Sequence, residues 1–261
     1  MVDSSSIDGS VGLIRKKFPK VRVIELKENI GVAGYNVGMQ KAKGDYFVIV
    51  DCDATINKSA SDLIVRVFDN CEADILAFKI LNFETGKLLD NPAHDTYGSR
   101  EYGYETAYFN GSAWAIRREV FEACGGYNPE YFIYLAEIDL SIKAIQRGFN
   151  LKYFPDLVCR HKISPPNKRG KGKYYVSRNW VYFIVQYLPL WVVPIFIIWS
   201  AFKVVYDTTK GYGLPGSYFQ GCLDGLKEAP YYWKKRKTLT YDQTKLFMKT
   251  NFVTGGFTKN F

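Results

Sequence analysis

The sequence lacks the paired cysteines of a zinc site or of a disulfide framework. Its five cysteines are an odd number, scattered along 261 residues: Cys52, Cys71, Cys124, Cys159 and Cys222. Cysteines in that arrangement are typical of reduced thiols in an intracellular protein. The first residues also lack the charged and apolar pattern of a signal peptide, so we expect none ahead of the fold.

Acidic residues are scarce in the second half of the chain. Residues 161–261 hold 16 lysines and arginines and only 4 aspartates and glutamates, whereas residues 1–160 hold 19 and 22. This uneven charge indicates that the second half contacts an anionic surface. On charge alone, this anionic surface could belong to nucleic acid or to anionic lipid. The basic residues flank apolar aromatic residues and do not form one polar face, so we expect an anionic membrane surface and no nucleic acid.

Strand-like and helix-like segments alternate along the first part of the chain. Hydrophobic residues make up 47% of the sequence, which is enough to fill a globular core. The alternation predicts an α/β fold with a mostly parallel, Rossmann-like sheet flanked by helices. We expect two parts, a domain of residues 1–165 that contains the sheet and a basic, aromatic-rich helical region of residues 166–261.

The most informative stretch is residues 44–53, GDYFVIVDCD. Tyr46–Val50 is a run of five apolar residues, typical of a strand buried on both faces. In an extended chain residues i and i+2 point to the same side, so Asp51 and Asp53 place two carboxylates together at the end of this strand. A hard divalent cation is the usual partner of such a pair. The alternative is a solvated loop in which one aspartate caps the next helix.

A second acidic pair, Glu137 and Asp139, opens a predicted helix that ends before Gly148. An anion in the first turn of a helix interacts favourably with the helix dipole, so stabilisation of the helix is a competing interpretation. His161 follows predicted short strands. A single histidine after a strand is more often structural than a ligand, so the pattern alone gives His161 no role.

Four blocks occur in order along about the first 190 residues: Val2–Ser10; Glu28–Gly31 with Asn36–Gly38; Asp51–Asp53; and Gly111 through to His161. Each block alone is weak evidence, but the ordered set is specific. Together they resemble the inverting family-two glycosyltransferases of the GT-A fold, near the rhamnosyltransferase-like branch.

The resemblance implies a role for each matching side chain. It implies that the nucleotide is bound by Asp3, Asn36, Asp51 and Asp53, that a divalent cation (Mg²⁺ or Mn²⁺) is held by Asp53, Asp51 and His161, and that the acceptor side includes Gly111, Ser112 and Trp114. Glu137 matches the general base. The family usually has Glu-Asp where this chain has Ala136-Glu137, and Asp139 is the reserve candidate for the base.

The resemblance also implies an enzyme of cell-surface polysaccharide biosynthesis. Such an enzyme moves a hexosyl or rhamnosyl group from a UDP- or dTDP-linked donor to a hydroxyl of a glycan or lipid-linked acceptor, with a divalent metal ion. One carboxylate base acting on the acceptor, without a covalent intermediate, gives inversion. The alternative is a catalytically inactive or partner-dependent remnant that serves as a binding or assembly protein.

Residues 180–202 contain 23 consecutive positions without a charge, a length that can cross a bilayer. Pro189 and Pro194 argue against one straight span. Basic clusters lie on both sides, at Lys168–Arg178 and at Lys234–Lys237. We expect peripheral or re-entrant attachment at the cytoplasmic face of the cell membrane, which keeps both clusters on one side. A single span and a helix in a soluble core are the alternatives.

Members of the family carry a further strand and helix ahead of the block matched by Val2 and Asp3, with that strand in the middle of the sheet. If the resemblance holds, the predicted strands at Met1–Val2 and Val21–Leu26 lack the neighbour that joins them to Tyr46–Val50. Backbone groups left unpaired in a buried gap cost about 1–3 kcal/mol each. We therefore expect this form to be a truncated reading of a longer chain, or a partner-dependent or inactive remnant.

Overall fold

The structure, a computed structural model, describes residues 1–90, 98–163, 172–209 and 215–253. The strands of these ranges are β1 (Val2–Asp3), β2 (Ile24–Glu25), β3 (Tyr46–Val50), β4 (Ala54–Ile56), β5 (Ile75–Asn82), β6 (Leu88–Asp90), β7 (Gly98–Ser99), β8 (Gly103–Glu105), β9 (Ala113–Arg117) and β10 (Leu151–His161). The α-helices are α1 (Ser10–Lys17), α2 (Ala33–Lys41), α3 (Ala60–Asn70), α4 (Arg118–Cys124), α5 (Ala136–Ile145), α6 (Gly172–Tyr187), α7 (Val193–Thr209), α8 (Pro215–Lys234) and α9 (Tyr241–Met248).

The central sheet is mixed and not mostly parallel, which corrects the expectation from the sequence. Its strand order is β3-β9-β5-β10-β8-β7, with β4 paired to β10 and β6 paired to β5. β9 runs antiparallel between β3 and β5, whereas β5 and β10 are parallel. An apolar run such as β9 has the same pattern in either direction, so strand polarity is not encoded in it. The α/β class, a central sheet with helices on its faces, is confirmed.

β1 and β2 form a separate parallel pair, and the described strands do not join this pair to β3. This division agrees with the expectation that β1 and β2 lack a neighbouring strand that would join them to β3. The strand predicted at Val21–Leu26 is shorter in the structure, where β2 has two residues. α2 connects the two sheets. A Cβ on Gly38 would lie 2.9 Å from a methyl group of Val2, so the glycine allows α2 to lie close against β1.

Apolar clusters cover both faces of the central sheet. Along β5, Ile75 and Ala77 belong to one cluster, and Leu76 and Phe78 belong to the other, which also includes Phe68 of α3. This alternation follows from the period of two residues in a strand. Because both faces are buried, the polar residues at the strand ends are the ones left near solvent, and they form the candidate site.

The first cluster extends into the C-terminal helices. Trp180, Phe183 and Tyr187 of α6 are buried in it, together with Phe247 of α9. α6 also packs along α8. The division of the chain at residues 165 and 166 stays a prediction. The first four residues of the basic cluster at Lys168–Arg178 lie outside the described residues.

The uncharged stretch of residues 180–202 forms parts of two helices. α6 ends at Tyr187 and α7 begins at Val193. Pro189 lies in the turn between them and Pro194 in the first turn of α7, where proline is tolerated. The stretch is therefore not one straight helix, as the two prolines predicted. In the described part of the chain, no helix combines the length and the apolar character needed to cross a membrane.

Candidate active site

The acidic pair lies at the end of β3, in a short turn that leads into β4. The N–H of Asp51 donates a hydrogen bond to the carbonyl of Ser112 at 3.0 Å, which fixes the end of β3 beside the start of β9. β4 pairs antiparallel with the end of β10 and places Ala54 opposite His161. The next helix, α3, is preceded by Ser59. Neither aspartate caps that helix, so the alternative interpretation of the pair as a helix cap is wrong.

Asp51, Asp53 and His161 form a group of side chains of the kind that binds divalent cations. One ligand atom from each lies within 4.8 Å of the other two. Nε2 of His161 is 3.2 Å from Oδ1 of Asp53. All three side chains are partly exposed. Carboxylate oxygens suit Mg²⁺ and Mn²⁺, and an imidazole is a further ligand for transition metals, so these residues fit the cation that the sequence predicted.

Tyr35 of α2 holds Asp51 in place, because its hydroxyl donates a hydrogen bond to Oδ1 of Asp51. Burial raises the pKa of Asp51; the bond from Tyr35 opposes the rise, and the nearby charge of Asp53 adds to it. Burial and Asp51 raise the pKa of Tyr35, so its hydroxyl remains a donor at neutral pH. Two negative charges at a partly buried turn are an arrangement that a bound cation stabilises.

Glu137 lies in the first turn of α5 and packs against the turn that precedes β9. A Cβ on Gly111 would collide with Oε1 of Glu137, so a glycine here leaves room for the carboxylate. Burial raises the pKa of Glu137 to about 7, and the charge of Asp51 contributes to the rise. Glu137 as a whole residue is partly exposed. A carboxylate with this pKa can accept a proton from a hydroxyl that reaches it at neutral pH.

The segment that leads into α5 has an unusual backbone conformation. Phe132, Tyr134 and Leu135 have φ angles of 60°, 64° and 59°. That region costs a residue with a side chain about 1–3 kcal/mol. The side-chain amide of Asn179, in α6, donates hydrogen bonds to the carbonyls of residues 131, 133 and 134 at 2.9, 2.8 and 2.9 Å. α6 therefore holds the strained segment that positions Glu137.

Asp139 lies on the other side of α5 from the site, which corrects its assignment as the reserve base. It is fully buried and accepts a hydrogen bond from the hydroxyl of Tyr187 at 2.8 Å. Its second oxygen lies 2.6 Å from Nζ of Lys143. A carboxylate with these buried partners is not accessible to an acceptor. Its role is to join α5 to α6.

Two further predicted site residues have structural roles. Trp114 is fully buried and stacks on Phe109 with ring centroids 4.3 Å apart, so it offers no surface to an acceptor, contrary to the prediction. The side-chain amide of Asn36 donates to the carbonyl of Tyr127 at 2.8 Å and accepts from its N–H at 2.9 Å. This pairing joins α2 to the loop after α4, and it corrects the prediction of a nucleotide-binding role for Asn36.

Asp3, the predicted nucleotide ligand of β1, is buried and accepts a hydrogen bond from the N–H of Ser6 at 3.0 Å. Hydrogen bonds from Ser6 lower its pKa, so the side chain is ionised at neutral pH. Gly111 and Ser112 lie between the two halves of the site. Gly111 adjoins Glu137, and Ser112 is bonded to Asp51. Nucleotide binding by Asp3 and the acceptor-side role of this turn stay predictions.

Comparison with known proteins gives a family match for the first part of the chain. The family description "Glycosyl transferase family 2" matches residues 1–125. The match places a family-two glycosyltransferase domain in residues 1–125, a little under half of the chain. A curated relative, the O-antigen chain rhamnosyltransferase WbaN of Salmonella anatum, is 26% identical over 188 residues, which are 67% of this chain and 59% of WbaN. The chain thus spans about three-fifths of the length of this relative.

Solved structures of glycosyltransferases share the fold. The mannosyltransferase PcManGT of Pyrobaculum calidifontis, solved with GDP-Man and Mn²⁺, is 20% identical with a TM-score of 0.51, over 90% of this chain and 62% of that one. S. aureus TarS in complex with UDP-GlcNAc is 16% identical with a TM-score of 0.54, over 70% and 56%. GalNAc-T7 with UDP, GalNAc and Mn²⁺ is 16% identical with a TM-score of 0.54, over 86% and 48%. At these identities the similarity establishes the GT-A-like fold alone.

Two residues that shape the candidate site were not identified from the sequence. Tyr35 is one tyrosine among 20, and its position on a short helix carries no motif. Asn179 contacts carbonyls that precede it by 45 to 48 residues. Such long-range contacts leave no local pattern. The sequence signal that could have identified Asn179 is its position as a polar residue within a mostly apolar helix.

Proposed function

We propose that this family-two protein is an inverting, metal-dependent glycosyltransferase that moves a hexosyl or rhamnosyl group from a nucleotide sugar to a hydroxyl. The observation that carries the proposal is the position of Glu137. Its carboxylate has a pKa of about 7 and packs on Gly111, next to Ser112, which is bonded to Asp51 of the acidic group. A base and a cation site thus adjoin one turn.

In the proposed step, Glu137 accepts the proton of the acceptor hydroxyl. The oxygen forms a bond to the anomeric carbon, and the bond from that carbon to the diphosphate oxygen breaks with its electron pair leaving on the diphosphate. Attack from the side opposite the leaving group inverts the anomeric centre. Asp51, Asp53 and His161 would hold the divalent cation, which when bound neutralises charge on the leaving diphosphate.

The donor class is proposed as a UDP- or dTDP-linked sugar, with the carboxylate of Asp3 on the nucleotide base or ribose. UDP, UDP-GlcNAc and GDP-Man complexes among the proteins of similar fold support a nucleotide sugar as donor. The acceptor class is a glycan or a lipid-linked glycan in cell-surface polysaccharide biosynthesis. The O-antigen relative supports that class. A catalytically inactive or partner-dependent binding protein is the competing function.

The test compares Glu137→Gln with the wild type. Donor binding is measured by calorimetry with and without Mn²⁺, and turnover is measured as UDP or dTDP release from a panel of nucleotide sugars. We expect donor binding within about threefold of the wild type and turnover reduced by about 10²-fold or more, because the amide cannot take the proton. Glu122→Gln, on the exposed side of α4, is the matched control and leaves both unchanged.

Asp53→Asn tests the cation site. We expect loss of the Mn²⁺-dependent part of donor binding, with the fold intact by circular dichroism. Full turnover in excess chelator would contradict the metal requirement. Tight donor binding without turnover of any donor by the wild type, with a range of glycan acceptors present, would favour the binding protein.

A further inference from the structure

The outward side of α7 is an exposed apolar surface. Its positions Pro194, Ile195, Ile197, Ile198, Ala201, Phe202, Val205 and Tyr206 are all exposed, and none carries a charge; this set is called the α7 face. Ile198 and Phe202 are 71% and 69% exposed. These values are high for large apolar side chains in adjacent turns. A contiguous patch of this kind marks a surface that is covered by a partner.

The opposite side of α7 fixes its orientation. Phe196 is fully buried, with its ring 5.3 Å from Trp180 and 6.3 Å from Phe247. Val192, just before the helix, is also fully buried. The start of the helix thus packs on the body of the protein through Phe196. The α7 face lies on the side of the helix away from Phe196.

Aromatic side chains border the start of the α7 face, and a basic segment lies beside the turn that precedes it. Trp191 is 60% exposed and its ring lies 6.5 Å from that of Tyr241, which is 71% exposed. The segment after α8 lies beside this turn, because Arg236 donates hydrogen bonds to the carbonyls of Val185 and Leu188. That segment and the end of α8 carry exposed lysines, called the lysine rim: Lys234, Lys235 and Lys237.

We propose that the α7 face and the lysine rim bind the surface of an anionic lipid bilayer, with α7 lying in the plane of the interface. Apolar side chains enter the boundary between headgroups and acyl chains, exposed tryptophan and tyrosine lie at the headgroup level, and lysines contact lipid phosphates. The proposal does not depend on sugar transfer. If transfer is confirmed, it places a lipid-linked acceptor beside the enzyme.

The charges favour a membrane over a second copy of the chain. A twofold contact along the α7 face would pair this face with its own copy, and the α7 face carries no acidic side chain to complement the lysine rim. Anionic headgroups instead complement these cations. Each lysine near an anionic surface contributes about fivefold to partitioning, which gives about a hundredfold for three. The acid-poor second half of the chain, with 16 cations against 4 anions, adds to the same preference.

The test is sedimentation of the full chain with vesicles of phosphatidylcholine alone and of phosphatidylcholine with about one-third phosphatidylglycerol. We expect the wild type to bind the anionic vesicles and to be partly released by high salt. Ile198→Ser with Phe202→Ser reduces binding by about tenfold or more, since both side chains lose burial in the interface. The matched control, Leu13→Ser with Phe18→Ser on the exposed side of α1 and the turn after it, leaves binding unchanged.

A second variant in the same sedimentation assay replaces the three lysines of the lysine rim by glutamine. We expect a loss of binding to anionic vesicles and of its salt dependence, whereas the control Lys16→Gln, Lys17→Gln and Lys20→Gln has little effect. Equal loss in the controls would overturn the proposal, and so would absence of binding to anionic vesicles. A dimer in sedimentation velocity that the Ile198 and Phe202 substitutions abolish, without vesicle binding, would assign the α7 face to a second copy.

Discussion

Replacement of Asn179 by leucine tests how far α6 controls the base. The two side chains have similar size and shape, but leucine cannot donate hydrogen bonds to the carbonyls of residues 131, 133 and 134. The two N–H groups of the amide are shared among the three carbonyls, and each lost bond costs about 1 kcal/mol net, so the native segment loses about 2 kcal/mol of support. The strain in its three left-handed residues is of the same order, about 1–3 kcal/mol each. We therefore expect the segment to relax locally while the sheet remains folded.

The assays separate this local effect from a general loss of stability. Urea unfolding of Asn179→Leu is expected to show a free energy of unfolding lower by about 2 kcal/mol. Turnover is expected to fall about tenfold or more, because Glu137 is displaced, with donor binding nearly unchanged. The pH midpoint of turnover moves below about 7, since a less buried carboxyl regains its ordinary pKa.

Asn70→Leu is the matched control for this substitution. Asn70 is exposed at the end of α3, and its amide donates one hydrogen bond to the carbonyl of Arg66 at 2.8 Å. We expect a small effect on unfolding and none on turnover or its pH midpoint. If Asn179→Leu lowers stability but leaves the rate and the pH midpoint at their wild-type values, Asn179 supports the fold alone and the reasoning is refuted.

Three further predictions concern the same site. Gly111→Ala places a methyl group against the Glu137 carboxylate, so turnover should fall about tenfold or more in a steady-state assay while circular dichroism is unchanged. Tyr35→Phe removes the hydrogen bond to Asp51, and calorimetry should show Mn²⁺ affinity weaker by about tenfold, whereas an unchanged affinity would remove Tyr35 from the site. The rate should rise with pH through about 7 as Glu137 ionises. The pKa of Glu137 in the folded protein lies above its usual value of 4.5. The stabilisation that the protonated side chain provides is therefore complete below about pH 4.5 and is lost as the pH rises through about 7. Glu137→Gln should remove that slope from pH-dependent denaturation.

The parts of the site that could be predicted from sequence are those with a local pattern. Tyr46–Val50 is a strand as predicted, and Asp51 and Asp53 lie at its end because a strand followed by a turn needs no distant information. His161 was placed by resemblance alone. It reaches the acidic pair through the pairing of β4 with β10, a contact between segments about one hundred residues apart that no short pattern encodes.

Two errors could have been avoided by helix geometry and strand burial. Residues i and i+2 of a helix point to nearly opposite sides, so only one of Glu137 and Asp139 could face the pocket, and the apolar neighbours of Asp139, Ile138 and Leu140, indicated that its side of the helix is buried. Trp114 belongs to a strand covered on both faces, where a large ring is more often part of the core. The antiparallel direction of β9 had no such local signal.

The hydrogen bonds from Asn179 to the segment before Glu137 have a consequence for how this protein can evolve. Glu137, the proposed base, and Asn179 are encoded 42 positions apart, on either side of residue 165. A recombination event that exchanged the C-terminal helices with those of a distant relative would keep Glu137 but discard the amide that positions it. We expect the two segments to be inherited together, and chimeras joined near residue 165 to retain activity only when the incoming helix supplies an equivalent amide.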